Sequence, residues 1–279
     1  IQRSRGLGDV YKRQTLADRV KTWVTVNEPT VFSTMGYTLG MFPPGRRSIP
    51  TTLRVMRNLL FAHGTVYKAL KPKHPELQFG VAKNVTLFDP KNRWSPIDWP
   101  LARLMEWVWN GAWRSGIQNG KMFFKDVPEA KASLDFVGLN YYTHVLVGPA
   151  SVSLLKMKFP KRRQEVATEF GYPMYAEGLA RALDFLRPLG VPIEITENGV
   201  ADAEDTLRAE HLRRHLWVLS NALRDGHDVR SYHHWSLLDN FEWAEGYSMR
   251  FGLHHVDFET QERTLRPSGE VYRGIVEQH

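Results

Sequence analysis

Cysteine is absent from the 279 residues, which removes disulfides, thiol nucleophiles and cysteine-ligated metal centres from consideration. No apolar run approaches the roughly 20 residues of a membrane span. No strand-like run is followed by a Gly-rich phosphate loop, which argues against a nucleotide-binding sheet. Internal repeats and low-complexity linkers are also missing, so a single domain is the simplest organisation. Residues 1–14 have neither helical nor strand period and lack the apolar core of a signal peptide. They are read as a leader foreign to the domain, which then occupies residues 15–279.

The composition that remains, 42% hydrophobic and 24% charged, is that of an ordinary water-soluble globular domain. The formal net charge of +7 would suit a polyanion partner, but it is unevenly placed. Arg3, Arg5, Lys12 and Arg13 against Asp9 give +3 within residues 1–14, leaving +4 for the rest. The densest basic cluster, Lys156, Lys158, Lys161, Arg162 and Arg163, lies in a stretch without period and reads as a solvated loop. Nucleic-acid binding would need a recognisable reading module, and none is seen. Neither a nucleic-acid nor a membrane partner is expected; the oligomeric state is not legible. The nine Trp residues carry more information, since indole faces suit the apolar sides of sugar rings, although most Trp residues are core.

Along the chain, strand and helix patterns alternate. Val24–Val26, Gln78–Asn84, Leu134–Asn140, Ile193–Thr196 and Val229–Trp235 read as strands, the β-branched runs Val24–Val26 and Ile193–Thr196 as buried ones. Helical spacing is found from Thr51 to Leu70, from Pro100 to Trp113, from Tyr175 to Leu189, and through Leu212, Leu216, Leu219 and Leu223, with Gly226 as the C-terminal stop. Five such units fit either a doubly wound open sheet or part of a barrel. Two glutamates stand out. Glu28 follows Val24-Thr25-Val26-Asn27, and Glu197 follows Ile193-Glu194-Ile195-Thr196. Each sits where a parallel strand gives way to a turn, which is where barrel enzymes keep their chemistry. Two similarly placed carboxylates are what retaining glycoside hydrolysis requires: one nucleophile and one acid then base, about 5 Å apart.

The motifs TVNEP, FVGLNYYT, ITENG and WSLLDNFEWAEGYSMRFGLHHVDFET together resemble glycoside hydrolase family 1, the β-glucosidase and β-glycosidase family. The likeness runs from about Leu16 to Val276. Asn-Glu-Pro alone is shared by many barrel glycosidases; its combination with Trp235–Phe251 is close to family-specific. The resemblance implies an α/β fold that is a partial (β/α)8 TIM barrel, comprising the C-terminal five βα units, strands 4 to 8. It implies Glu28 as acid/base and Glu197 as nucleophile, with Tyr142 hydrogen-bonded to Glu197 and Asn27 on the sugar 2-hydroxyl. It further implies Glu242 on the 4- and 6-hydroxyls, Trp243 on the 3-hydroxyl, Trp235 as the floor under the ring and Phe251 lining the pocket. The substrate is then an unphosphorylated β-glucoside or β-galactoside, because Glu242 would repel a phosphate on O6. No cofactor and no metal are expected.

Chemistry sets matching requirements: Glu28 needs surroundings that disfavour its charge, and Glu197 needs donors that favour its own. His63, His233 and His234 read as structural; for His233-His234, neighbours on a strand point to opposite faces, which defeats a shared metal site. Family strands 1 to 3 have no counterpart in the chain, so these residues alone are expected to be inactive. The lack of Cys fits a cytoplasmic location, while any signal peptide would precede the first residue given. Three other readings remain open. One is another Asn-Glu-Pro barrel glycosidase, another a non-catalytic sugar- or partner-binding relative, and the remotest a basic nucleic-acid binder.

Overall fold

The computed structural model describes residue 16, residues 19–149 and residues 160–278. The leader expectation for residues 1–14, and Lys156 and Lys158 of the basic cluster, lie outside the described residues. Five parallel strands form the main sheet: β1 (Thr22–Asn27), β2 (Gln78–Asn84), and, beyond a short β3 (Leu87–Pro90), β4 (Phe136–Asn140). After β5 (His144–Val147) come β6 (Ile193–Asn198) and β7 (Val229–His234). Their spatial order, β1-β2-β4-β6-β7, is also their order in the chain. A doubly wound sheet reverses direction at a switch point, whereas a barrel winds one way only. The unreversed order therefore selects the barrel-type alternative, here as an open five-stranded segment.

Helices separate the strands: α1 (Pro29–Thr34), α2 (Ile49–Leu70), α3 (Asp98–Glu106), α4 (Ala112–Asn119), α5 (Gly178–Leu186), α6 (Arg208–Arg224) and a terminal α7 (Pro267–Glu277). α2 starts at Ile49, earlier than the spacing suggests, because Ser48 caps it by accepting from the Thr51 amide at 3.4 Å. α3 likewise starts before Pro100, whose ring is tolerated in a first turn. Its continuation into α4 passes through a π turn, Trp107–Gly111.

α5 begins at Gly178, later than the spacing suggests. The Tyr141 hydroxyl donates to Tyr175 O at 2.6 Å, and a Cβ at Gly178 would lie 1.9 Å from that hydroxyl. In α6, Leu212 and Leu219 are buried, but Leu223 is exposed. The buried stripe instead follows His211, Leu212, His215, Val218, Leu219 and Ala222. Gly226 closes that helix at φ +82, a conformation that favours glycine.

The core lies between sheet and helices and includes Leu60, Val81, Trp113, Leu139, Leu183, Ile195 and Leu219. Central strands are enclosed: every residue of β4 and all but the first of β2 are buried. End strands are not. β1 and β7 each have one neighbour in this sheet, and Val24 is 43% exposed. Beyond β7 the long connection carries an antiparallel pair, β8 (His254–Val256) with β9 (Arg263–Leu265). Its base is locked by Arg266, which donates to both carboxylate oxygens of buried Asp239 at 3.0 and 3.1 Å. A second parallel pair, β3 with β5, was invisible in the sequence periodicity. Buried His144 of β5 bonds Asp89 of β3 at 2.7 Å.

Candidate active site

Glu28 stands at the junction of β1 and α1. Its amide donates to Ala82 O of β2 at 2.8 Å, its carbonyl accepts from Phe32 N, and Pro29 opens the helix. Glu28 itself adopts φ 47, ψ 57, a left-handed conformation that costs a residue with a Cβ of order 1–3 kcal/mol. It is held there by the β2 contact on one side and the helix on the other, and the side chain turns toward β2 and β4. Asn140, at the end of β4, donates to Glu28 Oε1 at 3.0 Å and to Asn27 Oδ1 at 3.1 Å. Asn84, at the end of β2, donates to the same Glu28 oxygen at 3.2 Å. Neither amide is free to turn. Asn84 Oδ1 accepts from Trp109 Nε1 at 3.2 Å and Thr86 Oγ1 at 2.8 Å, and Asn140 Oδ1 accepts from Thr196 Oγ1 at 2.6 Å.

Glu197 lies at the end of β6, with β2 and β4 between it and β1, opposite Asn140 where the register shifts. The Tyr142 hydroxyl donates to its Oε2 at 2.7 Å, and Asn27 Nδ2 approaches its Oε1 at 3.5 Å. The amides of Asn27 and Asn140 therefore bridge the two carboxylates in sequence. Phe251 meets the Tyr142 ring edge-on, centroids 6.4 Å apart. The chain after Glu197 passes close under β7: a Cβ at Gly199 would fall 1.8 Å from Trp235 O, so only glycine fits.

Burial raises the Glu28 carboxyl above the usual range, against the opposing donors Asn140 and Asn84 and the charge of Lys83. Burial also raises Glu197, and the neighbouring Glu28 charge adds to it, against Tyr142 and Asn27. The first requirement read from the sequence is met. The second is met only in part, because Glu197 has its donors yet burial and like charge outweigh them. Burial thus pushes both carboxyls up, and the charge of Glu28 makes ionisation of Glu197 harder still, so the two interact in their titration.

Glu242 is raised to about 7 by burial, against a hydrogen bond from Trp235, with the Glu28 charge adding to the rise. That places Glu242 and Trp235 beside the dyad. Trp243 is 60% exposed and stacks on Phe42 at 5.1 Å and 21°. The structure thus brings Asn27, Glu28, Tyr142, Glu197 and Phe251 into one contact network, with Trp235 and Glu242 next to it and Trp243 tied to the rim through Phe42. Sequence reasoning did not single out Asn84, Trp109, Asn140, Lys83 or Phe42. For Asn84 and Asn140 a signal existed, since each ends a strand, just as Glu28 follows β1 and Glu197 lies at the end of β6. His233 is exposed and His234 half-buried, as opposite faces require. Among the described residues no three His, Asp or Glu side chains are grouped as metal ligands, and no helix is long and apolar enough to cross a membrane.

The model of Glycosyl hydrolase family 1 matches residues 10–279. A 1,4-beta-D-glucan glucohydrolase of Thermotoga neapolitana is 33% identical over 94% of this chain and 65% of its own length. A beta-galactosidase of Saccharolobus solfataricus is 34% identical over 92% of this chain and 55% of its own. Among solved structures, the beta-glucosidase of Thermotoga maritima in complex with castanospermine superposes with a TM-score of 0.86 at 32% identity, covering 96% of this chain and 66% of that one. A beta-glycosidase from Pyrococcus horikoshii gives 0.83 at 35% identity, covering 95% and 63%. The chain spans about two thirds or less of the length of these relatives. Its five strands follow part of the TIM barrel of these neighbours, and the matched region holds both strand-end glutamates. With a family model matching nearly the whole chain, the chain belongs to glycosyl hydrolase family 1.

Proposed function

We propose that this chain carries the reacting half of a retaining β-glycosidase site acting on unphosphorylated β-glucosides or β-galactosides by double displacement. The observation that carries the reading is the bridged pair itself. Glu28 and Glu197 end parallel strands, lie in surroundings that disfavour two charges, and are linked through Asn27 and Asn140. In the first step a proton resides on Glu28 and passes to the leaving oxygen, while Glu197 attacks the anomeric carbon with Tyr142 bonded to its other oxygen. Once Glu197 is esterified its charge is gone. The reason for Glu28 to hold a proton weakens, and it takes one from the incoming water. The relatives' printed names, which include glucan glucohydrolase, beta-glucosidase and beta-galactosidase, support the substrate class without choosing between glucose and galactose. Asn27, beside Glu197, is placed to meet the 2-hydroxyl; Glu242, Trp235 and Trp243 form the far side of the glycone pocket, and Phe251 backs Tyr142.

A carboxylate at Glu242 sets the sign of the specificity. It accepts hydrogen bonds from neutral hydroxyls and repels a dianion at O6. In the full-length protein that carries this sequence, kcat/KM for a 4-nitrophenyl β-glucoside is expected to exceed that for its 6-phosphate by at least about a hundredfold, the scale of one buried like-charge contact. Equal rates, or preference for the phosphate, would contradict the assignment of Glu242.

A further inference from the structure

Behind the cleft, Lys83 is fully buried next to the C-terminal end of β2. Burying an ammonium is costly unless it is paired and hydrogen-bonded, so what surrounds it is informative. Its Nζ donates to the backbone carbonyl of Asn84 and to Asn110 Oδ1 at 3.2 Å, and it lies 6.0 Å from the centre of the Trp109 ring. Asn110 and Trp109 both belong to the π turn between α3 and α4. A π turn is a local insertion that often sits at functional sites, and here it points two side chains at β2. Asn110 Nδ2 in turn donates to Glu106 Oε1 at 2.8 Å, and Trp109 Nε1 fixes the Asn84 amide. Lys83 and Asn84 thus form one rigid unit, whose far end is the Asn84 N–H bonded to Glu28.

We propose that Lys83 is a positioning residue for Glu28: from behind β2 it supplies the positive charge, and through Asn84 the fixed donor, that let this buried carboxylate ionise when it must act as base. The inference rests on the double-displacement reading and concerns its second half. A carboxyl held up by burial makes a good acid but a reluctant base. A cation nearby that the substrate never touches shifts that balance without occupying the pocket.

The charged and titratable groups facing Lys83 are Glu28 at the β1–α1 junction and Glu106 at the end of α3, with Arg181 of α5 acting on Glu106. Those facing Glu28 are Lys83, Glu197, Tyr142, Tyr172 and Glu242. Burial lowers Lys83 to about 7, against the charges of Glu28 and Glu106. Its charge therefore changes within the neutral range, where a glycosidase acid/base must cycle.

The test is a 13C-carboxyl NMR titration of Glu28, assigned by its loss in Glu28→Gln, in the full-length protein with and without Lys83→Met. Removing the cation is expected to move the Glu28 midpoint up by about one pH unit, on the scale of a nearby opposite charge, while Lys83→Arg stays within a few tenths. An unmoved or lowered midpoint in Lys83→Met overturns the proposal, even if thermal stability falls, since that would mark Lys83 as structural only. Should Lys83→Met fail to fold, the unsubstituted protein decides. Coupled groups report one another's titration, so Glu28 must show a second inflection where the Lys83 ε-carbon titrates, and a single inflection overturns the proposal. Absence of aryl-glycoside turnover in the unsubstituted protein would count against the glycosidase reading alone, and the NMR titration would still decide the role of Lys83.

Discussion

In the full-length protein, Glu28→Ala slows alkyl and oligosaccharide β-glycosides by roughly a hundred- to ten-thousand-fold, the range of general acid catalysis. It slows 2,4-dinitrophenyl glycosides far less in the bond-breaking step, since that leaving group needs no proton. Added azide restores turnover and appears in the product as the β-glycosyl azide. The sign of each effect follows from position. Glu28 is held by Asn84 and Asn140, while Glu197 is held by Tyr142, so the two carboxylates can take different parts in the reaction. Removal of Glu28 vacates the side from which water would attack the glycosyl-enzyme, and a small anion fits that space without needing a base. Kinetics on two leaving groups and NMR of the azide product check this. An α-configured azide would indicate single displacement and end the two-step scheme.

A larger effect is expected for the 279 residues expressed by themselves: no measurable aryl β-glycosidase turnover and poor solubility, although both glutamates are present. Among the described residues, the outer strands β1 and β7 of the five-stranded sheet each pair on one side only. β2 and β4 are enclosed, whereas β1 leaves Val24 43% exposed and β7 is at most half-buried. In a closed barrel the interior layers draw side chains from alternate strands around the full circle, and closure removes every edge. An unpaired, flat, apolar edge strand recruits other chains instead. Size-exclusion chromatography, thermal melting and a 4-nitrophenyl β-glucoside assay on residues 1–279 check this. A monomer that melts cooperatively and turns over substrate at ordinary rates would contradict it.

The fold was legible where periodicity was strong. β-Branched runs marked β1 and β6 to within two residues, and the Leu spacing of α5 put Leu179, Leu183 and Leu186 in the core, where they lie. Boundaries failed where tertiary contacts override local preference, as at Gly178 beneath Tyr141. The barrel-type order could not be read from five strand patterns alone, because order is a property of pairing. At the site, Glu28 and Glu197 were visible because each combines a strand end with a turn residue. The left-handed backbone at Glu28 was not visible, since Pro29 announces a helix start but not the conformation before it. Lys83 was hidden for a different reason. A lysine within a strand ordinarily reads as an exposed edge residue, and only the π turn that delivers Asn110 and Trp109 explains how β2 can bury one.

The central claim is that Glu197 attacks the sugar and Glu28 manages the proton. Incubating the full-length protein with 2,4-dinitrophenyl 2-deoxy-2-fluoro-β-glucoside and mapping the adduct by peptide mass spectrometry tests it most directly. The fluorine slows both steps while the good leaving group keeps the first one usable, so the covalent intermediate accumulates. The expected product is one fluoroglycosyl group per chain, esterified to Glu197 in the peptide containing Ile195-Thr196-Glu197-Asn198-Gly199. Label on Glu28, Glu242 or any other carboxylate, or turnover without a trapped intermediate, would contradict it.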